Sequence, residues 1–400
     1  MHEPSGTQVP HGSEGGRRDG DKESNEGGES GKGGQQWCNG SRRRYLATVG
    51  LVSAGVVSGC LGLGNDESDV LGDPEYREGR PDPGGVSMEE MPDLNGGLTI
   101  YSGRSQPRIG ELMEYVEAQY DDLTIEVRYD DTADLISTIE TETETPADVF
   151  YGSETQSMTH LKDEGYTVEL PDEVVELVDT GSVDPDGHWT GFTRRFRAVA
   201  YNADTYDADE LPDDIFAYAE DERFQDDIMW PPDQGSFQAF ITSMRLLHGE
   251  DETRSWIRSM IDNQNIEVSP GGDSALAQAV GDGEVSVGLT NHYVVRDHGG
   301  DSVGLAFTSD DAGAMYNVTG GTVMADSDDT ETAANFVQHM LSAEAQEYFA
   351  TTTWEYPVID GVAPLEELPG TDEFDPPEFD LNELDDPDPT LGLLREENVL

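Results

Sequence analysis

Leu98-Thr99-Ile100-Tyr101-Ser102-Gly103-Arg104-Ser105 opens the stretch that decides the fold. An apolar run enters a polar Gly/Ser turn. Behind it, Ile109, Leu112, Met113, Val116 and Tyr120 recur at the spacing of one helix face. The unit then repeats. Leu123–Tyr129 reads as a second strand and Thr132–Thr141 as a helix carrying Leu135, Ile136 and Ile139. Ala147–Tyr151 reads as a third strand, followed by a helix ending near Gly165. Strands alternating with helices imply an α/β fold with a parallel sheet, whose ligands sit at the carboxyl ends of the strands.

The same grammar returns downstream. Phe192–Tyr201 is extended, and Phe237, Phe240, Ile241, Met244 and Leu247 form a helical stripe with Ser236 as its N-cap. Ser274–Val280 reads as a helix closed by Gly281, and Val285–Thr290 as a strand running into Asn291-His292-Tyr293. Ala333, Phe336, Val337, Met340 and Leu341 mark another amphipathic helix, while residues 366–400 are acidic and Pro-rich. Two α/β lobes with a cleft between them are the simplest reading.

Four hundred residues with 35% apolar content suffice for two such lobes. Lys and Arg number 22 against 85 Asp and Glu, a net charge of −63. A surface of that sign excludes nucleic-acid binding through a broad basic face. Lys162 is the only lysine after residue 32, and such a balance reads as adaptation to high salt, where counterions screen the repulsion. The only cysteines, Cys38 and Cys60, precede the lobes, so a disulfide framework, a Cys-based zinc site and a thiol nucleophile are excluded there.

The front of the chain reads as an address. Residues 1–40 lack apolar periodicity and are expected to be disordered. Residues 41–59 hold Ser41-Arg42-Arg43-Arg44-Tyr45-Leu46, an apolar run, and then Val57-Ser58-Gly59 before Cys60. A twin-arginine segment, a short apolar run and small residues before a Cys form a lipoprotein export signal, with Cys60 lipidated. The run is too short to span a bilayer, which needs about 20 apolar residues. Residues 60–96 would then be a flexible acidic tether, holding the protein on the extracellular face of the cell membrane. Two lobes outside the cell with no H-E-x-x-H and no G-x-S-x-G suggest a receptor for a small solute ahead of the alternative, a secreted hydrolase with paired carboxylates.

Five segments in order carry a family likeness: Tyr101-Ser102-Gly103-Arg104, Pro146-Ala147-Asp148-Val149-Phe150-Tyr151, Gly191-Phe192-Thr193-Arg194-Arg195-Phe196-Arg197, Gly288-Leu289-Thr290-Asn291-His292-Tyr293 and Glu355-Tyr356-Pro357-Val358. Over roughly residues 97–400 the chain resembles the periplasmic ferric-ion binding proteins of ABC importers. The resemblance implies a type II periplasmic-binding fold, with 97–197 and 312–365 as lobe 1 and 198–311 and 366–400 as lobe 2. It also implies a ferric cargo with a synergistic anion such as carbonate or citrate. The partners would be the permease membrane subunits with their ATPase, and the binding protein is expected as a monomer.

Carried over by position, Tyr293 matches the first of the family's tandem tyrosines, and Val294 stands where the second would be. The family's histidine aligns with Ser105 and its carboxylate near Ser153 or Glu154, so Tyr293 and Glu154 are the metal-ligand candidates. Arg195 and Arg197 match arginines that face the anion. They share one strand face, while Arg194 points away and reads as a surface ion-pair partner. Tyr101-Ser102-Gly103-Arg104-Ser105 lies between a strand and a helix start, a geometry suited to an anion. Ser236 and Asn291 join the ligand set, and so does His292, which reads more readily as a hinge residue. One phenolate with one carboxylate is a thin ferric site. The cargo is therefore a ferric chelate with more exogenous ligand or, alternatively, another small anion or organic solute of thiamine or phosphonate type.

Overall fold

The computed structural model describes residues 71–300, 302–377, 381–384 and 387–400. The extension (1–40), the export signal (41–59) and Cys60 lie outside the described residues. The acidic stretch 60–96 does not behave as a tether from residue 71 onward. Leu71, Met88, Met91 and Leu94 are buried, and a short helix α1 (Pro74–Arg77) begins at an Asp73 cap. Arg80 forms a two-pronged ion pair with the buried Glu347 at 2.9 and 3.0 Å. Four apolar anchors spaced through acidic sequence are enough to hold the segment down as a strap.

β1 (Gly96–Ser102), α2 (Gln106–Gln119), β2 (Leu123–Tyr129), α3 (Thr132–Thr141), β3 (Val149–Gly152) and α4 (Thr155–Asp163) follow the predicted alternation. The Asp131 side chain accepts from Ala133 N–H to start α3. β1 pairs in parallel with β2, from Gly96 opposite Leu123 to Ser102 opposite Tyr129, and with β3. After β4 (Thr167–Val168) and α5 (Asp172–Val175) comes the long β5 (Thr190–Asn202). β6 (Ile228–Trp230), α6 (Gly235–His248), α7 (Glu250–Asp262), β7 (Glu267–Val268), α8 (Gly272–Asp282), β8 (Val287–Asn291), α9 (His292–His298) and β9 (Val303–Ala306) form the second lobe. β10 (Tyr316–Met324), α10 (Thr330–His339), α11 (Ala343–Tyr348) and β11 (Tyr356–Pro357) return to the first lobe. α12 (Thr371–Phe374) and α13 (Asp388–Glu396) end the chain.

The sheet is mixed rather than purely parallel. Its order is β2-β1-β3-β10-β5-β8-β6-β7, and β5 and β10 run antiparallel to their neighbours. β5 is the crossing strand. Thr190–Phe196 pair with β10 in lobe 1, and Arg197–Tyr201 pair with β8 in lobe 2. Lobe 1 packs around Ile100, Leu112, Val149, Phe192 and Phe336, and lobe 2 around Trp230, Phe237, Phe240, Trp256 and Val287. Each such side chain contributes about 1.5–3 kcal/mol on burial.

Three local expectations change. Gln234, not Ser236, is the N-cap of α6. α8 runs past Gly281 and closes on Gly283 in the left-handed region at φ 72°. Gly281 is needed inside the helix, because a Cβ there would collide with the Gly299 carbonyl. The acidic C-terminal stretch is packed rather than a free tail: Leu365, Leu368 and Phe374 join Phe196 at the crossing, and Leu393 and Leu394 are buried on the lobe 2 side. Among the described residues, no helix is long and apolar enough to cross a membrane.

The strap is a load on the fold, and this can be measured. Arg80→Ala leaves Glu347 buried without its cation, a loss expected to cost about 3 kcal/mol and to appear as a lower denaturant midpoint at unchanged slope. A free tether would leave the midpoint where it was.

Candidate ligand-binding cleft

The crossing strand and the β8–α9 junction set the site. β8 ends at Asn291, and α9 begins at once with His292 and Tyr293. The His292 ring is buried, with Nδ1 at 3.1 Å from the Phe196 carbonyl and Nε2 at 2.8 Å from the Trp354 carbonyl. Burial pushes its pKa down to about 4, so a neutral ring donates to one carbonyl at a time. Both ring nitrogens thus face backbone carbonyls, one on the crossing strand and the other at Trp354.

Tyr293 is half-buried, and three guanidinium groups surround its ring: Arg108 at 5.0 Å, Arg195 at 5.9 Å and Arg104 at 6.0 Å from the centroid. Arg195 Nη1 donates to the Tyr293 hydroxyl at 3.4 Å, and Nη2 donates to the Ser153 carbonyl. Glu154 stands 3.9 Å from Arg195. A Cβ at Gly235 would meet Glu154 Oε2 at 3.4 Å, so this lobe 1 carboxylate rests over the first residue of α6 in lobe 2. Burial works against the Arg195 charge, but Tyr293, Glu154 and Glu355 hold its pKa above the ordinary value.

Arg197 sits apart from this ring of cations. Nη1 donates to Asn291 Oδ1 at 3.2 Å and to Ser236 Oγ at 3.4 Å, and Asp273 lies 3.8 Å away. Ser236, Asn291 and Thr290 all donate to the same Asp273 carboxylate. Arg197, Ser236 and Asn291 therefore form one buried lobe 2 network rather than a second arm around Tyr293. Two buried donors, Arg195 Nε and Arg197 Nη2, have no partner. Orphaned guanidinium N–H groups at this depth are costly unless a ligand meets them.

The β1–α2 turn departs from expectation. Ser102 closes the turn on Arg104, and Ser105 is an exposed helix start making no side-chain cap. A Cβ on Gly103 would collide with Thr132 Oγ1, so this glycine serves close packing; the turn is not an open anion cradle. The Ser153 hydroxyl bonds Thr132 at 2.7 Å. Tyr101 donates to Glu142 at 3.1 Å, beneath Arg128, and makes no contact with the arginines around Tyr293. Arg194 pairs with Asp179 and Ser182 on the outer face.

Sequence reading passed over Arg108 and Asp297, and gave Glu355 only as part of a family segment with no role of its own. Arg104 pairs with Glu355, which also accepts from Thr193 Oγ1 at 2.6 Å and is only 2% exposed. Burial alone would raise this carboxyl. Arg104, then Arg195 and Arg108, hold it below the usual carboxylate range. Arg108 of lobe 1 pairs with Asp297 on α9, and Arg296 stacks at 4.0 Å over Trp354 and 4.7 Å over Tyr76 of the strap. Among the described residues, no three His, Cys, Asp and Glu side chains gather to hold a metal.

Residues 144–381 match the family described as bacterial extracellular solute-binding protein. The chain belongs to this family. The solute-binding protein is 31% identical over 194 residues to iron uptake protein A2 of Synechocystis, covering 44% of this chain and 55% of that one. It is 26% identical to the Fe(3+)-binding periplasmic protein of Serratia marcescens, covering 60% and 72%. Among solved structures it is similar to iron-bound HitA of Pseudomonas aeruginosa, with a TM-score of 0.68 at 26% identity over 75% of this chain and 99% of that one. The iron- and citrate-bound Trichodesmium structure matches at a TM-score of 0.66 and 22% identity, over 76% and 99%. The fold of the solute-binding protein is thus the type II periplasmic-binding fold, two α/β lobes joined by crossing strands.

Glu355→Gln in this solute-binding protein strands Arg104 in the interior, with an expected loss of about 3 kcal/mol at neutral pH. The native carboxyl titrates below its unfolded value. Its contribution is therefore full at neutral pH and is lost as the pH falls below the ordinary carboxylate range, through the folded pKa. Urea melts should show the gap between wild type and variant shrinking on acidification.

Proposed function

We propose that this protein captures ferric iron together with a small anion, carbonate or citrate, and delivers it to an ABC permease driven by a cytoplasmic ATPase. It does so as a monomer, lipid-anchored through Cys60 on the extracellular face of the cell membrane, and turns over no substrate. The observation that carries the reading is the Tyr293 hydroxyl beside Arg195, whose buried Nε has no partner of its own. Ferric ion is hard and prefers anionic oxygen, and its own charge drives the proton from a phenol. Tyr293 supplies the phenolate and Glu154 a carboxylate. The buried Val294 supplies nothing in place of a second phenol.

A bare trivalent cation beside Arg104, Arg108 and Arg195 is repelled. An anion that arrives with the metal removes that repulsion and fills the open coordination positions, while the arginines hold it by charge-assisted hydrogen bonds. Similarity to the iron uptake protein of Synechocystis and the Fe(3+)-binding periplasmic protein of Serratia supports iron as the cargo. The same cations favour a second reading, a metal-free organic or inorganic anion.

Titration of the protein with ferric citrate separates the two. The iron reading expects a visible phenolate-to-iron band that Tyr293→Phe removes, and a loss of affinity of about tenfold or more for Arg195→Ala, the size of one charge-assisted hydrogen bond. Calorimetric binding of citrate with no band, unmoved by iron, is the outcome that favours the anion alone.

A further inference from the structure

We propose that Glu355 is a specificity-determining residue: its buried charge fixes how much negative charge the cleft accepts from its cargo. The inference rests on the reading of the cleft as an anion-accepting site. Four arginines face four carboxylates there. Arg104 pairs with Glu355, Arg108 with Asp297, Arg197 lies 3.8 Å from Asp273, and Arg195 lies 3.9 Å from Glu154. Asp297 is about one-third exposed and Glu154 is 31% exposed, so water and salt weaken both. Asp273 is taken up by Ser236, Thr290 and Asn291 within lobe 2.

Glu355 differs from all three. It is 2% exposed, and it sits in lobe 1 with both hydrogen-bond partners, Arg104 and Thr193, on that same lobe. Both of its partners thus belong to its own lobe, whereas Glu154 rests over the first residue of α6 in lobe 2. Its negative charge subtracts from the field of Arg104, Arg195 and Arg108 at the Tyr293 hydroxyl. Removing it raises the positive charge facing the cargo by one, in a region where screening is weak. A cargo of greater negative charge gains more from that step than one of lesser charge.

The test compares affinities for two anions of different charge, inorganic phosphate and citrate. Both are offered metal-free by calorimetry and then with ferric iron by absorbance. In Glu355→Gln the citrate-to-phosphate affinity ratio is expected to rise by about tenfold. A merely structural role lowers both affinities alike and leaves the ratio unchanged, which would overturn the proposal. The double variant Arg104→Gln/Glu355→Gln removes the whole pair and keeps the net charge, so both affinities are expected to drop with the loss of Arg104 while their ratio stays near the wild-type value. A shifted ratio there also overturns the proposal, and this arm decides alone if the single variant does not fold. Wild type that binds the metal-free anions but gives no iron band refutes the iron reading while the ratio still judges Glu355. Wild type that binds neither anion refutes both.

Discussion

Buried guanidinium groups must be met by negative charge, and this constraint organises the cleft. Arg195 and Arg197 are nearly inaccessible on the crossing strand, and Arg104 is equally enclosed at the head of α2. Taking three such ions out of water is tolerable only where each finds a carboxylate, a carbonyl or a ligand. Glu355, Asp273 and the Ser153 carbonyl meet most of the demand. What is left over, Arg195 Nε and Arg197 Nη2, is the part of the site that the protein does not satisfy from its own atoms. An incomplete network is unfavourable in a core and useful in a receptor.

The crossing strand makes this arrangement possible. β5 changes partner from β10 to β8 between Phe196 and Arg197, so neighbouring arginines on one strand face belong to different lobes' surroundings. Strand alternation places them on one side, and the change of sheet separates their partners. His292 packs at that same point, with the Phe196 and Trp354 carbonyls on its two ring nitrogens. Trp354 is itself held at φ 60°, a conformation that costs a bulky side chain about 1–2 kcal/mol and persists only where its neighbours over-determine it. The residue after it is Glu355. The strained turn, the buried histidine and the buried carboxylate are thus one structural unit, and α9 extends it through Arg296 to the strap at Tyr76.

Much of the fold was legible because helices α2, α3, α6 and α10 carry periodic apolar faces and the β/α alternation is regular. Tyr293, Arg195 and Arg104 could be picked out as candidates because each lies beside a strand end or on the crossing strand. Glu355 and Asp297 could not, since their partners Arg104 and Arg108 lie 251 and 189 residues away and nothing local marks the pairing. For Arg197, alternation gives its side of the strand but not the Asp273 carboxylate beside it. The strap was misjudged for a different reason. Averaging composition over 60–96 hid Leu71, Met88, Met91 and Leu94, four apolar side chains that outweigh the surrounding Asp and Glu once they find a groove.

The sign of the whole molecule and the sign of the cleft pull in different directions. A net charge of −63 surrounds the protein with a field that draws cations and turns anions away, whereas the cleft presents arginines to whatever enters. At low ionic strength the outer field reaches far beyond the surface and slows an anionic cargo's approach. Near physiological salt it decays within about 8 Å, and higher salt shortens it further. The enclosed cations are screened far less by the same salt. Abundant electrolyte therefore suppresses the long-range repulsion while leaving the short-range attraction of Arg104 and Arg195 largely intact. An acidic exterior and an arginine-lined interior are compatible on one chain because salt acts on the two over different distances.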